Sequence, residues 1–384
     1  MRSIRVSGQH LNTALEKIIM TFERLTKRGE RELPHSFFIM LRTVDFKSIE
    51  VLAHNRFRKL HINIPAVVEG HPFRFVSLGK NLSGIIRTLR FERVEIEYPP
   101  TADRIWIMGK SSRISLTVTG DNVFPLYNEK ETDTSGYMKL PLGELFYDLS
   151  RISYCAGSGS MTKPHNVCIS VTKDFLMCTD NRRMSVYPNR FLKFDRDFLI
   201  PLSSLHKLTG VFWGCGKDGG VKLNSDRELC MISDGIYVSI NLAAGEIPRF
   251  TSVIKPSSDK EYKCLLYKEE FVNVLERMGA VISPLDPFPY VTLSFKEADG
   301  TASNVGAFVE SGNNTATDSF SVKYSGQGFR VRFNLQFLLQ AAKSQQEDVI
   351  LLRFFMDLSC KSMIMSDTKR EHLNVVLPIR GSIV

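Results

Sequence analysis

A chain of 384 residues is long enough for two to four domains, and 43% hydrophobic with 24% charged residues is the balance of packed cores, not of disorder. Fifty Lys and Arg against 41 Asp and Glu leave a formal charge of +9, which points toward a polyanionic partner. Seven cysteines without a CxxC pair argue against a zinc framework or disulfide scaffold. No apolar run suits a signal peptide or a bilayer span, so the chain reads as a soluble intracellular protein with free thiols.

Leu11, Leu15, Ile18, Ile19, Phe22 and Leu25 fall on one face at helical spacing and predict a first helix from about residue 9. Lys17, Arg24 and Arg28 share a stripe nearly opposite that face. A second helix is expected over 80–89, with Leu82, Ile85, Ile86 and Leu89 inward. Strands follow at 94–98, 104–108 and 113–118, with GKS (109–111) as a turn. A third helix is predicted from Pro141 and carries Leu142, Leu145, Phe146 and Leu149; a strand at 166–171 comes next. The fourth helix also starts on a proline, Pro201, with Leu202, Leu205 and Leu208, and precedes a strand at 237–242. The fifth runs from Lys268 with Phe271, Val274, Leu275 and Met278, followed by a strand at 290–295. A strand at 329–333 leads to the sixth helix, for which Asn334 is the expected N-cap and Leu335, Leu338 and Leu339 the apolar face. The last strand is expected within 373–379. KDGG (217–220), ADG (298–300) and SGNN (311–314) are turn signals.

The helices pair. The first of each pair begins near 9, 141 and 268, the second near 80, 201 and 334, so both series recur at roughly 120–135 residues, a domain-sized period. Polar seams at NEKETDTSG (128–136) and KPSSDKEYK (255–263) separate the repeats. The expectation is an α+β chain of three domains of one fold, 1–134, 135–258 and 259–384, each with antiparallel sheet and two helices. A single large α+β domain with accidental spacing is the alternative.

No catalytic motif accompanies this pattern. GKS lacks the upstream glycine of a phosphate loop, GSGS (157–160) is not GxGxxG, and the histidines form no HExxH. Cys215 within GCG reads as a glycine turn, and no DxD cluster ends a strand. Basic residues do recur on the helices: Lys80, Arg87 and Arg90 on the second, then Arg151, Lys207, Arg277 and Lys343. As a set they suit phosphate contact, which needs positive charge but reads no sequence. A basic DNA-binding protein and a nucleic-acid enzyme assembled from distant residues both remain open at this point, beside an ordinary solvated face.

Several segments resemble, in order and along essentially the whole chain, the bacterial DNA polymerase III β subunits, or β sliding clamps. TDNRRMSV (179–186) is similar to their TDGHRLA segment, and GEIPRFTSVIKP (245–256) to the FPDY…VLP linker. HLNVVLPIR (372–380) resembles YVVMPMR, SSRISL with DNVFPLY (111–127) resembles SRFSL…FPNL, and FNLQFLLQAA (333–342) resembles FNVSYLLDVL.

The resemblance implies the DNA clamp fold repeated three times and a head-to-tail dimeric ring of six domains, with helices lining the hole. It implies a processivity factor without catalytic activity, cofactor or metal, working in a bacterial cytoplasm or a phage-infected cell and not at a membrane. Its partners would be duplex DNA, a second copy, a replicative polymerase and a clamp loader. Matching DNA-facing positions are Arg24, Lys27, Arg28, Arg31, Lys80, Arg87, Arg90, Arg151, Lys163, Lys207 and Lys343. The family's pocket takes a short motif, usually Gln followed by Leu and Phe. Its positions fall here on Cys168, Thr179, Asn181, Arg182, Arg183, Met184, Pro248, Val253, Phe288, Asn334, Phe337, Val349, Val375, Leu377, Pro378, Ile379 and Arg380. The subunit joint would set Ile114 and Leu116 against Val281 and Ile282. Three features depart from the pattern. Asn181-Arg182 replaces Gly-His, the chain continues past Arg380 to Val384, and the charge is basic where the family is commonly acidic.

Overall fold

The computed structural model describes residues 2–22, 24–25, 31–32, 37–55, 58–99, 103–119, 124, 135–157, 163–205, 208–212, 219–224, 227–250, 253, 261–283, 286, 289–357 and 360–379. The chain falls into two compact units, Met1–Tyr147 with Ser203–Leu242, and Asp148–Leu202 with Ala243–Val384.

The first unit is built on one antiparallel sheet. Its path runs Arg113–Thr117, Arg104–Met108, Arg93–Glu97, Ser3–Ser7, Arg58–Glu69, Ile236–Asn241, Glu228–Ser233, Gly219–Asn224 and Met138–Leu140, and Phe38–Thr43, Ser48–His54 and Arg74–Leu78 branch from it. Period-two alternation makes these strands: from His61 to Glu69 buried and exposed residues mostly alternate. The second unit carries another antiparallel sheet. Its path runs Phe198–Pro201, Cys168–Val171, Phe175–Thr179, Arg183–Pro188, Leu373–Val376, Cys360–Asp367, Val349–Asp357, Glu261–Tyr267, Asn314–Gly326, Ala298–Ser311, Tyr290–Phe295 and Phe329–Asn334. Its core gathers Phe271 and Leu275 of the helix Lys268–Val281 with Leu335 and Leu338 of the helix Leu335–Ser344. Ladder bonds join Ile236–Asn241 to Arg58–Glu69 and Arg183–Pro188 to Leu373–Val376. The stretch 135–258 therefore contributes to both units. Among the described residues no helix is long and apolar enough to cross a membrane.

The predicted helices are present, with corrections at their ends. The first spans Gly8–Phe22 and buries Leu11, Leu15, Ile18 and Phe22. Gly8 starts it because a side chain there would strike the Leu89 and Glu92 carbonyls. It stops before Arg24, which pairs instead in the short strands Arg24–Leu25 and Arg31–Glu32, so the stripe of Lys17, Arg24 and Arg28 on one helix does not exist. The Thr21 hydroxyl shares the Lys17 carbonyl at the end of this helix, a local competitor for the next turn. Pro141 precedes the third helix, Leu142–Ser153, and accepts its first amide bonds. Pro201 ends a strand, and the predicted fourth helix is two short ones, Leu202–Leu205 and Leu208–Phe212. Two turn signals are corrected as well. Gly219 and Gly220 lie within a strand because Leu142 and Tyr137 leave no room for side chains. ADG lies in a strand with an irregularity between Asp299 and Ala302. SGNN is the hairpin tip between Ser311 and Asn314.

Candidate functional site

The candidate pocket residues gather around one pair of strands in the second unit. Arg183–Pro188 and Leu373–Val376 run antiparallel with Met184 opposite Val375. Met184 and Val375 bury into a cluster with Met177, Val186, Phe250, Phe355 and Ile364, against which Ile247 and Val253 pack. Leu377 and Ile379 follow the last strand and are 42% and 38% exposed. Their amides are held by the carbonyls of Arg182 and Arg332, at 3.0 and 2.9 Å.

The loop before Arg183 is tied by short-range bonds. Asp180 Oδ1 accepts the amides of Arg182 and Arg183, and its Oδ2 accepts Arg183 Nε, each at 3.0 Å. Asn181 sits at φ +68, the left-handed region that Asn tolerates, so the turn before Arg183 forms without a glycine. The opposite sheet face carries Arg183. Its guanidinium lies 4.2 Å over Phe337 and 5.5 Å over Tyr154, and donates to Gln340 Oε1. Asn334 caps the helix Leu335–Ser344 by accepting the Phe337 amide at 3.1 Å. The structure thus brings Thr179, Asn181, Arg182, Arg183, Met184, Val253, Asn334, Phe337, Val375 and Leu377 into two linked groups, with Ile379 bonded to the strand that leads to Asn334. Pro248 and Pro378 are half-buried between named members in sequence. Cys168 lies two strands away, buried, with its thiol pushed up to about 11 by burial. Val349 pairs with Tyr267 at the start of its own strand. Phe288 and Arg380 lie outside the described residues, as does the tail 381–384.

Sequence reasoning missed Phe250 and Ile247 in the cluster, although they flank the chosen Pro248, and Arg332, which the alternation of FRVRF turns outward beside Asn334.

Of the candidate DNA-facing residues, Lys80, Arg87, Arg90, Lys163 and Lys343 are exposed. Lys343 pairs with Glu276 at 2.6 Å, and Arg90 lies over the Phe91 ring. Side chains of Arg24 and Arg31 and the whole of Lys27, Arg28 and Lys207 lie outside the described residues. Arg151 is a correction: it is interior, 8% exposed, and faces the Tyr187 ring at 4.7 Å. Its Nη2 donates to the Ser344 carbonyl and to His372 Nδ1, at 3.2 and 3.1 Å. Since Arg only donates, His372 must carry its proton on Nε2, which donates to Ser185 Oγ at 2.8 Å. Of the joint candidates, Ile114 and Leu116 lie on an end strand of the first sheet, and Val281 and Ile282 end the helix Lys268–Val281.

This architecture defines a class: the chain has the fold of the bacterial DNA sliding clamp, matched over essentially its whole length. The sliding clamp of Bacillus subtilis is similar with a TM-score of 0.85 at 16% identity, covering 99% of both chains. A Caulobacter crescentus β sliding clamp gives 0.83 at 16% over 99% of both. The DNA polymerase III β subunit of Pseudomonas aeruginosa gives 0.81 at 16%, over 98% of this chain and 100% of that one. In sequence, the chain is 23% identical to the β sliding clamp of Chlamydia pneumoniae over 160 residues, so the match spans 41% of that relative's length and 41% of this chain. No family model matches the sequence.

Proposed function

We propose that this protein is a DNA sliding clamp, a non-catalytic processivity factor that encircles duplex DNA and tethers a replicative polymerase. The observation that carries this reading is the clamp fold, matched over 99% of the chain. In it, 1–134, 135–258 and 259–384 are three clamp domains, and two copies close head to tail through Ile114 and Leu116 on one and Val281 and Ile282 on the other. Symmetric closure of such a heterologous joint is what makes a ring instead of a fibre. Lys80, Arg87, Arg90, Lys163 and Lys343, with Arg24, Lys27, Arg28, Arg31 and Lys207, contact phosphates without reading bases. Enclosure keeps the DNA while these weak contacts let it slide. The exposed Leu377 and Ile379, next to the buried Met184 and Val375, receive short apolar motifs from polymerase and clamp loader. Such a site works by a few anchored side chains. The protein then acts in the cytoplasm of a bacterium or of a phage-infected cell.

The test compares retention on nicked circular and linear DNA after loading, with light scattering for mass. A dimer retained on circles and lost on linearisation is the expected result. Equal retention on both by a monomer would point to a basic DNA-binding protein and end the clamp reading.

A further inference from the structure

We infer that Phe91, flanked by Arg93 and Lys110, is a stacking site for an unpaired nucleotide, so that the first unit holds single-stranded DNA as well as duplex. This rests on the reading of DNA as the partner and adds a second form of it.

Two turns build the site. Leu89 caps the end of the helix Gly79–Thr88, and the Glu92 amide donates back to the Leu89 carbonyl at 3.0 Å. The GKSS turn (109–112) closes as the Gly109 amide donates to the Ser112 carbonyl, also at 3.0 Å. Glu92 locks one turn to the other, because its Oε2 accepts the Lys110 amide at 2.6 Å. Gly109 permits this approach, since a side chain there would strike Glu92 Oε2 and Leu89 Cδ2. Beside the joined turns lies a cleft of about 480 Å³ bordered by Phe91, Arg93, Met108 and Lys110. Phe91 is 86% exposed, and the Arg90 guanidinium lies 4.7 Å from its ring centre.

The lining favours a nucleotide over a peptide as the occupant. Phe91 and Met108 are the large apolar side chains of the cleft, and Met108 is half-buried. A peptide is held by several apolar anchors in a pocket, whereas a base needs one flat face. Of the charged groups, Arg5 is engaged by Glu95 at 3.3 Å, and the Glu92 carboxylate by the Lys110 amide. Arg93 and Lys110 are exposed, and among the described residues no hydrogen bond or ion pair engages either side chain. Arg87 and Arg90, exposed just before the ring in the chain, add to that charge. Such a set suits a single strand, with cations for the phosphates and a ring for the base. Bases within a duplex stack on one another and leave no face open to Phe91, so the site selects unpaired nucleotides.

The test is fluorescence anisotropy on the full-length protein at low salt with three labelled probes. They are an oligo-dT of about 20 nucleotides, an abasic strand of the same length, and a peptide alternating Glu and Phe. Oligo-dT is expected to bind about fivefold to tenfold more tightly than the abasic strand, which carries the same charge without bases. Phe91→Ala should remove that difference and Phe91→Trp should keep it; the ring is exposed, so neither variant disturbs the core. Arg93→Ala with Lys110→Ala should weaken both strands and flatten the dependence of log K on log salt by about 1.4. Equal affinity for oligo-dT and the abasic strand overturns the inference, as does a difference that survives Phe91→Ala. Binding of the peptide alone, lost in Phe91→Ala, also overturns it and makes the cleft a protein-docking surface. Retention of the wild type on nicked circles tests the clamp reading separately. Its failure, beside a Phe91-dependent preference for oligo-dT, removes the ring and keeps this site.

Discussion

Arg151 and the buried histidines decide more than their sequence positions suggest. Arg151 belongs to a helix pattern that assigns it to solvent, yet it donates into a closed polar network with Ser344, His372 and Ser185. Tyr154 and Asn374 extend that network, joined at 2.5 Å. His372 is kept neutral there: burial, then the charge of Arg151, pushes its pKa down to about 3. In the first unit, His54 and His61 meet through their Nε2 atoms at 2.6 Å, and burial pushes His54 down to about 4 and His61 well below its ordinary value. An unfolded chain takes up these protons near pH 6.5, while the folded one resists them to lower pH. The contribution is therefore fully present above pH 6.5 and is lost as pH falls toward 4, by roughly 2 kcal/mol per histidine at pH 5. Urea unfolding at pH 7.5 and pH 5.0 measures this, and coincident midpoints would show the imidazoles to be hydrated.

At the scale of elements, glycines separate two kinds of constraint. Gly219 opens a strand beside Leu142, and a Cβ there would lie 2.6 Å from Leu142 Cγ. Gly84 lies inside the helix Gly79–Thr88 with nothing within 4 Å of where its Cβ would be. Gly219→Ala is expected to destabilise by about 1–3 kcal/mol through overpacking. Gly84→Ala should stabilise by about 0.5–1 kcal/mol through helix propensity. Thermal melts of the two variants on the same day settle both signs. KDGG shows why composition misreads such a position: a glycine demanded by a neighbour's volume looks the same in sequence as one demanded by a turn. Asn334 was legible because capping is local. Its side chain accepts the amide three residues on, and needs nothing else from the fold.

For the whole molecule, the formal charge of +9 matters through where it is displayed. Arg151 and Arg183 are taken up inside the second unit, whereas Lys80, Arg87 and Arg90 are exposed on or just after one helix. Each phosphate contact contributes about 0.9 to the dependence of log K on log salt. Replacing Lys80, Arg87 and Arg90 together by Ala should therefore flatten that slope by about 2.7 if all three touch DNA. A slope identical to that of the wild type removes them from the DNA surface.

Helical spacing, strand alternation and their recurrence by themselves determined the α+β class and the location of most elements, because those signals depend on near neighbours. The ordered segments around Met184, Pro248 and Leu377 also marked residues that lie in or beside one apolar cluster. Only the tertiary structure decided how the stretch 135–258 is shared, since the ladders to Arg58–Glu69 and Leu373–Val376 join residues far apart in the chain. It also turned Arg151 inward, put Arg183 against Phe337 and left Arg182 in solvent. A charged side chain has no periodic signature of its own, so its place depends on which partners and neighbours the fold brings to it.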